Sequence, residues 1–515
     1  MTRLLALDLG TTSFKAIVYD ESGVKLAEQR TDPPDRRLEI AGVPVDIWET
    51  EALWDTVADL LRRTVRPFAG EVDGLAIAQL GLIGVPLDAS GEPLFPFVTW
   101  IDPLAGTGAV LARSGLTDAQ LFAVAGNRLN SIYPPAWIGW MSEHEPRFAN
   151  GMRRWVFIGD WLAYRLSGVL TSDYSITSQT LALDQTELAL RADLLGAFRL
   201  AEDLFPAPEQ AGRIVGEVTA EAAAATGLRA GVSVVLGGAD WLVGVFGSGL
   251  TEPGDFGILT GTWELTFTCA RQPCLTEVAC ESGAICDPHV APGRWALRIE
   301  ALSGEVTEWS RRNLHVSDTP TGELSAWTDI VAACGSVAPG SGGVVFIPHL
   351  FGSYGPSHDE LARGAFVGLT GATTRTAMAR AVFEGLSFQT RASVEALTRA
   401  TGVRAGRLLV MGGGVKNELW LRSRAEALGR SVEVVEDPDV TPRGAAMLAG
   451  IGIGLFSDAG DAVARFAPPT KLVEPDAGNV RLYREIYDDV YAPLQRSLAS
   501  VNHRLARLAE IGEPS

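Results

Sequence analysis

An aspartate that ends an apolar strand and opens onto a glycine and hydroxyl turn suits phosphate chemistry, and Asp8-Leu9-Gly10-Thr11-Thr12-Ser13, followed by Lys15, has this form. The glycine lets backbone N–H groups approach an anion, the hydroxyls add donors, and Lys15 can add positive charge. A carboxylate beside such a cradle makes physical sense when Mg2+ lies between them, since two anions otherwise repel. The alternative is an ordinary hairpin with a Ser/Thr-rich turn.

Three further sites fit the same chemistry. Thr260-Gly261-Thr262-Trp263 keeps glycine and hydroxyl without the carboxylate, and could close on the other side of the same phosphates. Met411 to Asn417 sets three glycines between a strand and a helix, where bare backbone admits a flat ring or ribose; Asn417 can bond a base or cap the helix. Asp240 follows Gly237 and Gly238 at the end of an apolar strand and opens an apolar helix. It reads either as a helix cap or as a general base taking a proton from a hydroxyl that attacks a γ-phosphate.

The elements that must position these residues can be read from period and punctuation. LLALDLGTTSFKAIVYD and DFGILTGTWELTFT, about 250 residues apart, repeat one theme of strand, Gly-Thr turn and strand, which predicts two related α/β domains facing a cleft. From Thr50, taken as an N-cap, Leu53, Trp54, Val57, Leu60, Leu61 and Val65 form one helical stripe. Residues 74–100 read as a hairpin region of three strands, 159–168 as a helix, and VSVVLGGAD as a buried strand leading into a helix begun by Asp240. In the second half, strands at VVFIPHL, RLLVMGGG and SVEVVE alternate with helices at 373–401 (closed by Gly402), 417–429 (Asn417 N-cap, Gly429 after the end) and TPRGAAMLAGIG. That alternation predicts mostly parallel sheets covered by helices. Tyr483 to Leu508 reads as one terminal amphipathic helix.

Composition narrows the function classes. The 515 residues carry 43 Lys+Arg against 62 Asp+Glu, a net charge of −19, with 47% hydrophobic and 20% charged residues. The chain should fold throughout as more than one packed unit, and its acidity with no basic run argues against nucleic acid and anionic membranes as partners. The N-terminal apolar stretch is interrupted by Asp8, too early for an export signal, and no stretch is long enough to span a bilayer. Five cysteines, Cys269, Cys274, Cys280, Cys286 and Cys334, are an odd, sparse set without the paired spacing of zinc sites; they read as buried, inert thiols in a reducing cytoplasm. Of four lysines, none follows a glycine, so no Walker A loop exists. The run Gly450, Gly452, Gly454 lies at a helix end with the wrong spacing for a dinucleotide motif and reads as helix packing and capping.

These elements in this order resemble the FGGY-type carbohydrate kinases of the actin, hexokinase and Hsp70 superfamily, with xylulokinase-like spacing. Further similarity lies in WETEALWD, LDASGEPLFPFVTWID, IGDWLAYRLSGVLTSDYSITSQTLALD, GGADWLVGVFGSG, LSGEVTEW and GGGVKNELWLRSRAEALG with TPRGAAMLAG. The resemblance runs from about Leu4 to about Phe456. It implies two ribonuclease H-like (actin-like ATPase) domains, each a mixed sheet flanked by helices, with a cleft between residues 1–249 (sugar side) and 250–515 (nucleotide side). It further implies Mg2+-dependent transfer of the γ-phosphoryl group of ATP to a hydroxyl of a small sugar, with a pentulose such as xylulose first and a tetrulose, polyol or deoxy-sugar next. A catalytically silent ATP- and sugar-binding regulator is the competing reading. By the same resemblance Asp240 is the general base and Asp8 holds the metal. Gly10, Thr11, Thr12, Ser13 and Lys15 meet phosphates; Gly261, Thr262 and Gly304 line the nucleotide side, with Gly413 and Asn417 at the adenosine. Gly81, Leu82, Trp100, Asp102, Tyr133 and Trp241 line the sugar site, where Trp100, Tyr133 and Trp241 could stack on a ring or carbon chain. The family's frequent homodimers extend the expectation to this chain.

Departures from the family pattern cluster on the sugar side. Gln79-Leu80-Gly81-Leu82-Ile83 stands where polar residues usually face the sugar, Leu104 replaces an arginine, Trp137 a lysine, and Trp241 the polar residue after the aspartate. Ser353-Tyr354-Gly355-Pro356 stands in place of Glu-Arg-x-Pro.

Overall fold

The computed structural model describes residues 1–99, 107–314 and 326–512. Two sheets built on one pairing scheme form its frame. In the six-stranded sheet, Arg3–Leu9 pairs antiparallel with Phe14–Asp20, bringing Asp8 opposite Lys15, and parallel with Gly74–Gln79, bringing Asp8 opposite Ala78. In the seven-stranded sheet, Asp255–Thr260 pairs antiparallel with Glu264–Ala270 and parallel with Arg407–Gly412, bringing Thr260 opposite both Glu264 and Gly412. Each Gly-Thr turn therefore joins the two leading strands of its sheet, as the internal repeat predicts.

Helices cover these sheets, some through one apolar stripe and others on nearly every side, as in Arg375–Thr401, buried without a break from Ala379 to Thr390. The stripe predicted from Leu53 to Val65 is buried along Thr50–Val65, though Glu49, not Thr50, holds the N-cap position. Such boundaries move by a residue because the cap is half inside the helix. Arg375–Thr401 and Glu418–Leu428 end at Gly402 and Gly429 in left-handed conformations, and Asn417 caps the second through Trp420 N–H.

Three expectations of the fold change. The large sheets are mixed rather than mostly parallel: each has two parallel pairings and the rest are antiparallel, because each sheet is entered through a hairpin and flanked by antiparallel edge strands. Residues 74–100 are not one hairpin region: Gly74–Gln79 lies in the six-stranded sheet, whereas Gly84–Leu87 and Phe97–Val98 belong to a separate five-stranded sheet. The chain leaves the first sheet through Leu82, whose φ is +74°. The terminal helix is also not uniform, since Ala477–Glu485 and Ala492–Gly512 are joined by a π-helical stretch, Ile486–Tyr491. Tyr483, Tyr487 and Tyr491 all reach the Phe388 ring, with centroids 5.5, 6.0 and 5.2 Å away. Residues four apart share a helix face, and the π-helical stretch keeps Tyr487 and Tyr491 on the same side as Tyr483.

Gly450 and Gly452 are packing glycines: a Cβ would stand 2.3 Å from Phe456 and 2.7 Å from Val235. All five cysteines are free, but Cys274 and Cys280 are only half-buried, so the expectation of five buried thiols holds for three. Among the described residues no helix is long and apolar enough to cross a membrane, and no three His, Cys, Asp or Glu side chains are grouped to hold a metal.

Candidate active site

Asp8 reaches the site at the end of a strand whose neighbours Leu7 and Leu9 are fully buried, so the strand has no freedom to turn its carboxylate elsewhere. The turn after it is closed by Gly10 N–H donating to the Ser13 carbonyl at 3.2 Å, and it leaves Thr11 and Thr12 exposed. Lys15 stands beside it, but its Nζ donates to Asp439 Oδ1 at 2.9 Å, and Lys25 pairs with the other oxygen of Asp439. The charge expected from Lys15 for phosphate is thus already partnered.

Asp240 is fixed by glycines on both sides. Gly237 crosses Ile77 where a Cβ would stand 1.8 Å from its carbonyl oxygen, at the point where Ser233–Ala239 shifts register against Gly74–Gln79. Behind Asp240, the helix Asp240–Gly247 crosses Val440–Gly452 so closely that a Cβ on Gly247 or Gly444 would stand 1.9 Å from the other helix's backbone oxygen. The cap position belongs to Ala239, so the carboxylate, which accepts its neighbour Trp241 N–H at 2.7 Å, is not used as an N-cap.

Burial pushes the Asp240 carboxyl up to about 6, with the Trp241 N–H pulling the other way. Asp8 is pushed up to about 7, first by burial, then by the negative charge of Asp240; Lys15 opposes this and Asp439 adds to it. A buried carboxylate raised further by a second one lining the same cavity makes a place where a cation is favourable. Asp8 therefore fits as one ligand of a divalent metal, and among the described residues no three His, Cys, Asp or Glu side chains are grouped to complete its shell.

Three cavities run in a line from these carboxylates. The first, about 480 Å³, is lined by Asp8, Gly10 to Ser13, Lys15, Asp240 and Trp241, with Gly81, Leu82 and Tyr133. The second, about 890 Å³, shares Thr11 with it and adds Trp48, Thr260, Gly261, Thr262 and Gly413. The third, about 820 Å³, shares the Thr260–Thr262 turn and Gly413, and adds Gly304, Trp327, Phe383 and Asn417. Backbone closeness explains the glycines of these two cavities: a Cβ on Gly304 would lie 2.3 Å from the Gly261 oxygen, and one on Gly412, at φ +87°, would lie 2.5 Å from the Thr260 oxygen. Thr260 Oγ1 is buried here without a partner among the described residues.

Not every predicted residue sits as expected. Asn417 spends its side-chain oxygen on the helix cap, leaving only its amide group for a ligand. The Tyr133 hydroxyl donates to Asn127 Oδ1 at 2.6 Å inside the wall, and burial pushes it up to about 12. Trp241 does not offer both faces to a substrate, because the Arg298 guanidinium covers one at 4.7 Å. Trp100 and Asp102 lie outside the described residues. The structure adds lining residues that sequence reasoning missed, namely Ile132, Gln179, Thr441, Arg298 and Glu300, beside the Leu80 already placed on the sugar side. Gln179 Oε1 accepts the Leu82 N–H at 2.6 Å and so holds the positive-φ loop. Arg298 and Glu300 alternate with buried Leu297 and Ile299 on the strand Trp295–Ala301. That alternation is visible in the sequence, but which face meets a cleft is not.

Comparison with known proteins places the chain in a family. Residues 3–247 match the FGGY family of carbohydrate kinases, N-terminal domain, and residues 257–453 match the C-terminal domain of the same family. The L-fuculokinase of Escherichia coli K12 is 27% identical over 465 residues, covering 90% of this chain and 95% of that protein. A xylulose kinase of Staphylococcus epidermidis is 25% identical, covering 97% and 98%. Among solved structures, xylulose kinase from Rhodospirillum rubrum superposes with a TM-score of 0.87 at 24% identity, covering 97% of this chain and all of that one. Gluconate kinase from Lactobacillus acidophilus gives 0.87 at 21%, covering 98% and 99%. With both domain descriptions matched in order along most of its length, the chain belongs to the FGGY family of carbohydrate kinases, phosphotransferases with an alcohol group as acceptor.

Proposed function

We propose that the protein transfers the γ-phosphoryl group of ATP to a hydroxyl of a small ketose, with xylulose as the best acceptor. The observation that carries this reading is the line of three cavities, with Asp8 and Asp240 at one end and Gly304 and Asn417 at the other. In this reading residues 1–249 form the acceptor-side domain and 250–515 the nucleotide-side domain, and the free thiols are compatible with a reducing cytoplasm.

Asp240 takes the proton of the attacking hydroxyl; its raised carboxyl is a better base than an ordinary aspartate, and its fixed backbone keeps it in reach of the acceptor. The backbone of Gly10 to Ser13 and of Gly261 to Thr262 meets the phosphates from two sides, while Gly304, Gly413 and the Asn417 amide border the nucleoside. Asp8 would hold Mg2+, which when bound offsets phosphate charge. Excluding water between the two halves strengthens each contact and limits hydrolysis.

A second reading, a deoxy-ketose, is favoured by Leu80, Leu82 and Ile132 on the acceptor wall, which suit a methyl group better than a hydroxyl. ADP release measured across pentuloses, deoxy-ketoses and polyols separates the two. We expect acceptor-dependent release with matching sugar phosphate; ATP binding with no acceptor-stimulated release would instead make the protein a silent regulator.

Gly304→Ala tests the nucleotide side. Its methyl must displace the Gly261–Thr262 backbone, and overpacking costs about 1–3 kcal/mol, so KM for ATP should rise on the order of tenfold. KM for the acceptor should stay near that of the unaltered protein.

A further inference from the structure

The acceptor cavity is lined from both halves of the chain. The strand Trp295–Ala301, in the seven-stranded sheet, sends Arg298 and Glu300 into the cavity that holds Asp8 and Asp240. Arg298 is held three ways: Nη1 pairs with Asp287, Nε donates to Glu300 Oε1 at 2.9 Å, and the guanidinium lies over Trp241. Asp287 in turn accepts from Ser178 Oγ at 2.7 Å, tying this group to the first half. Beyond these bonds Arg298 keeps Nη2 and Glu300 keeps Oε2, and both residues line the cavity and are only partly buried, so a donor and an acceptor are available to it.

Charge decides what such a pair can take. The cavity carries Asp8, Asp240 and Glu300 against Lys15 and Arg298, and both cations already have carboxylate partners, Asp439 and Asp287. An anionic acceptor would bring a further negative charge to a wall that has no unpaired cation among the described residues, whereas a polyhydroxyl chain can both accept and donate. We propose that Arg298 and Glu300 bind the acceptor as a donor and acceptor pair and determine its class, admitting a neutral ketose and turning away an aldonate. This inference rests on the reading of the first cavity as the acceptor site. It assigns to the second half a part in recognising the sugar, so that the site is complete only when both halves meet.

The test is calorimetric titration of xylulose and of gluconate into the full chain with ADP and Mg2+ present, which reads binding without requiring turnover. The unaltered protein should bind xylulose and show no gluconate binding. Arg298→Met keeps the apolar stem over Trp241 and removes the donors; losing a hydrogen bond to a charged group should weaken xylulose about tenfold or more. Glu300→Gln, nearly isosteric, should weaken xylulose and bring gluconate binding into the measurable range, because Arg298 then has one counter-charge fewer. Should Arg298→Met fail to fold, Glu300→Gln decides alone. Gluconate binding to the unaltered protein as tightly as xylulose, no binding of ketose at all, or unchanged xylulose affinity in the folded variants would each overturn the inference. Xylulose bound through Arg298 but never phosphorylated would count against the kinase reading and leave this one standing.

Discussion

Asp240→Asn should lower kcat by about 10²- to 10⁴-fold, or about 2.7–5.4 kcal/mol of transition-state stabilisation, while acceptor and ATP still bind. The amide keeps the size of the side chain and can still accept the Trp241 N–H through its oxygen, so the loss isolates proton acceptance from geometry. The pH profile supplies an independent reading. The active form is the carboxylate, and its carboxyl is raised to about 6, so kcat/KM for the acceptor should hold above that value and fall as pH drops through it. Asp8, raised to about 7 in part by Asp240, should move down when a metal neutralises its surroundings, leaving Asp240 as the group that shapes the acid limb. Asp240→Asn should erase that limb. A variant that keeps full turnover, or an acid limb that persists in it, would remove Asp240 from the mechanism.

The largest expected loss of stability lies just behind the second Gly-Thr turn. Glu264 and Arg424 form an ion pair in which both side chains are almost completely buried. The Thr390 hydroxyl donates to Glu264 Oε1 at 2.6 Å, and the Arg424 guanidinium lies 3.9 Å over the Trp420 ring. Burial pulls Arg424 below the usual range while Glu264 pulls it back, and its Nε and Nη1 have no partner among the described residues. Glu264→Ala therefore leaves a buried cation without its counter-charge and should cost about 3–5 kcal/mol. The pair also joins the strand after the Thr260–Thr262 turn to the helix that Asn417 caps, so weaker ATP binding should accompany the lower urea midpoint. Replacing both partners by apolar residues, Glu264→Leu with Arg424→Met, should recover most of the stability, because no charge is then left buried. A single variant as stable as the unaltered protein would show that the pair is open to water.

Much of this was legible without coordinates because it is local. A glycine between an aspartate and two threonines permits one kind of turn, periodic apolar residues permit one buried face, and Asn417 and Gly429 mark helix ends by their own backbone preferences. The paired Gly-Thr turns exposed the internal repeat, and with it the expectation of a two-sided cleft. Less of the acceptor wall could be read. Tyr133 and Trp241 looked like free aromatic surfaces, yet one is hydrogen-bonded within the wall and the other is covered by Arg298.

What the amino-acid order determined by itself is the chemistry on offer: carboxylates at strand ends, bare backbone for phosphates, and two repeated units to carry them. Which of these groups share a cavity was decided only by tertiary structure. Lys15 met Asp439 across 424 positions and so lost its free charge, while Arg298 and Glu300 entered a site otherwise built mostly by the first half. Such pairings depend on how sheets and helices close over one another. Electrostatic partners are chosen by distance in space, and no local period or spacing encodes that distance.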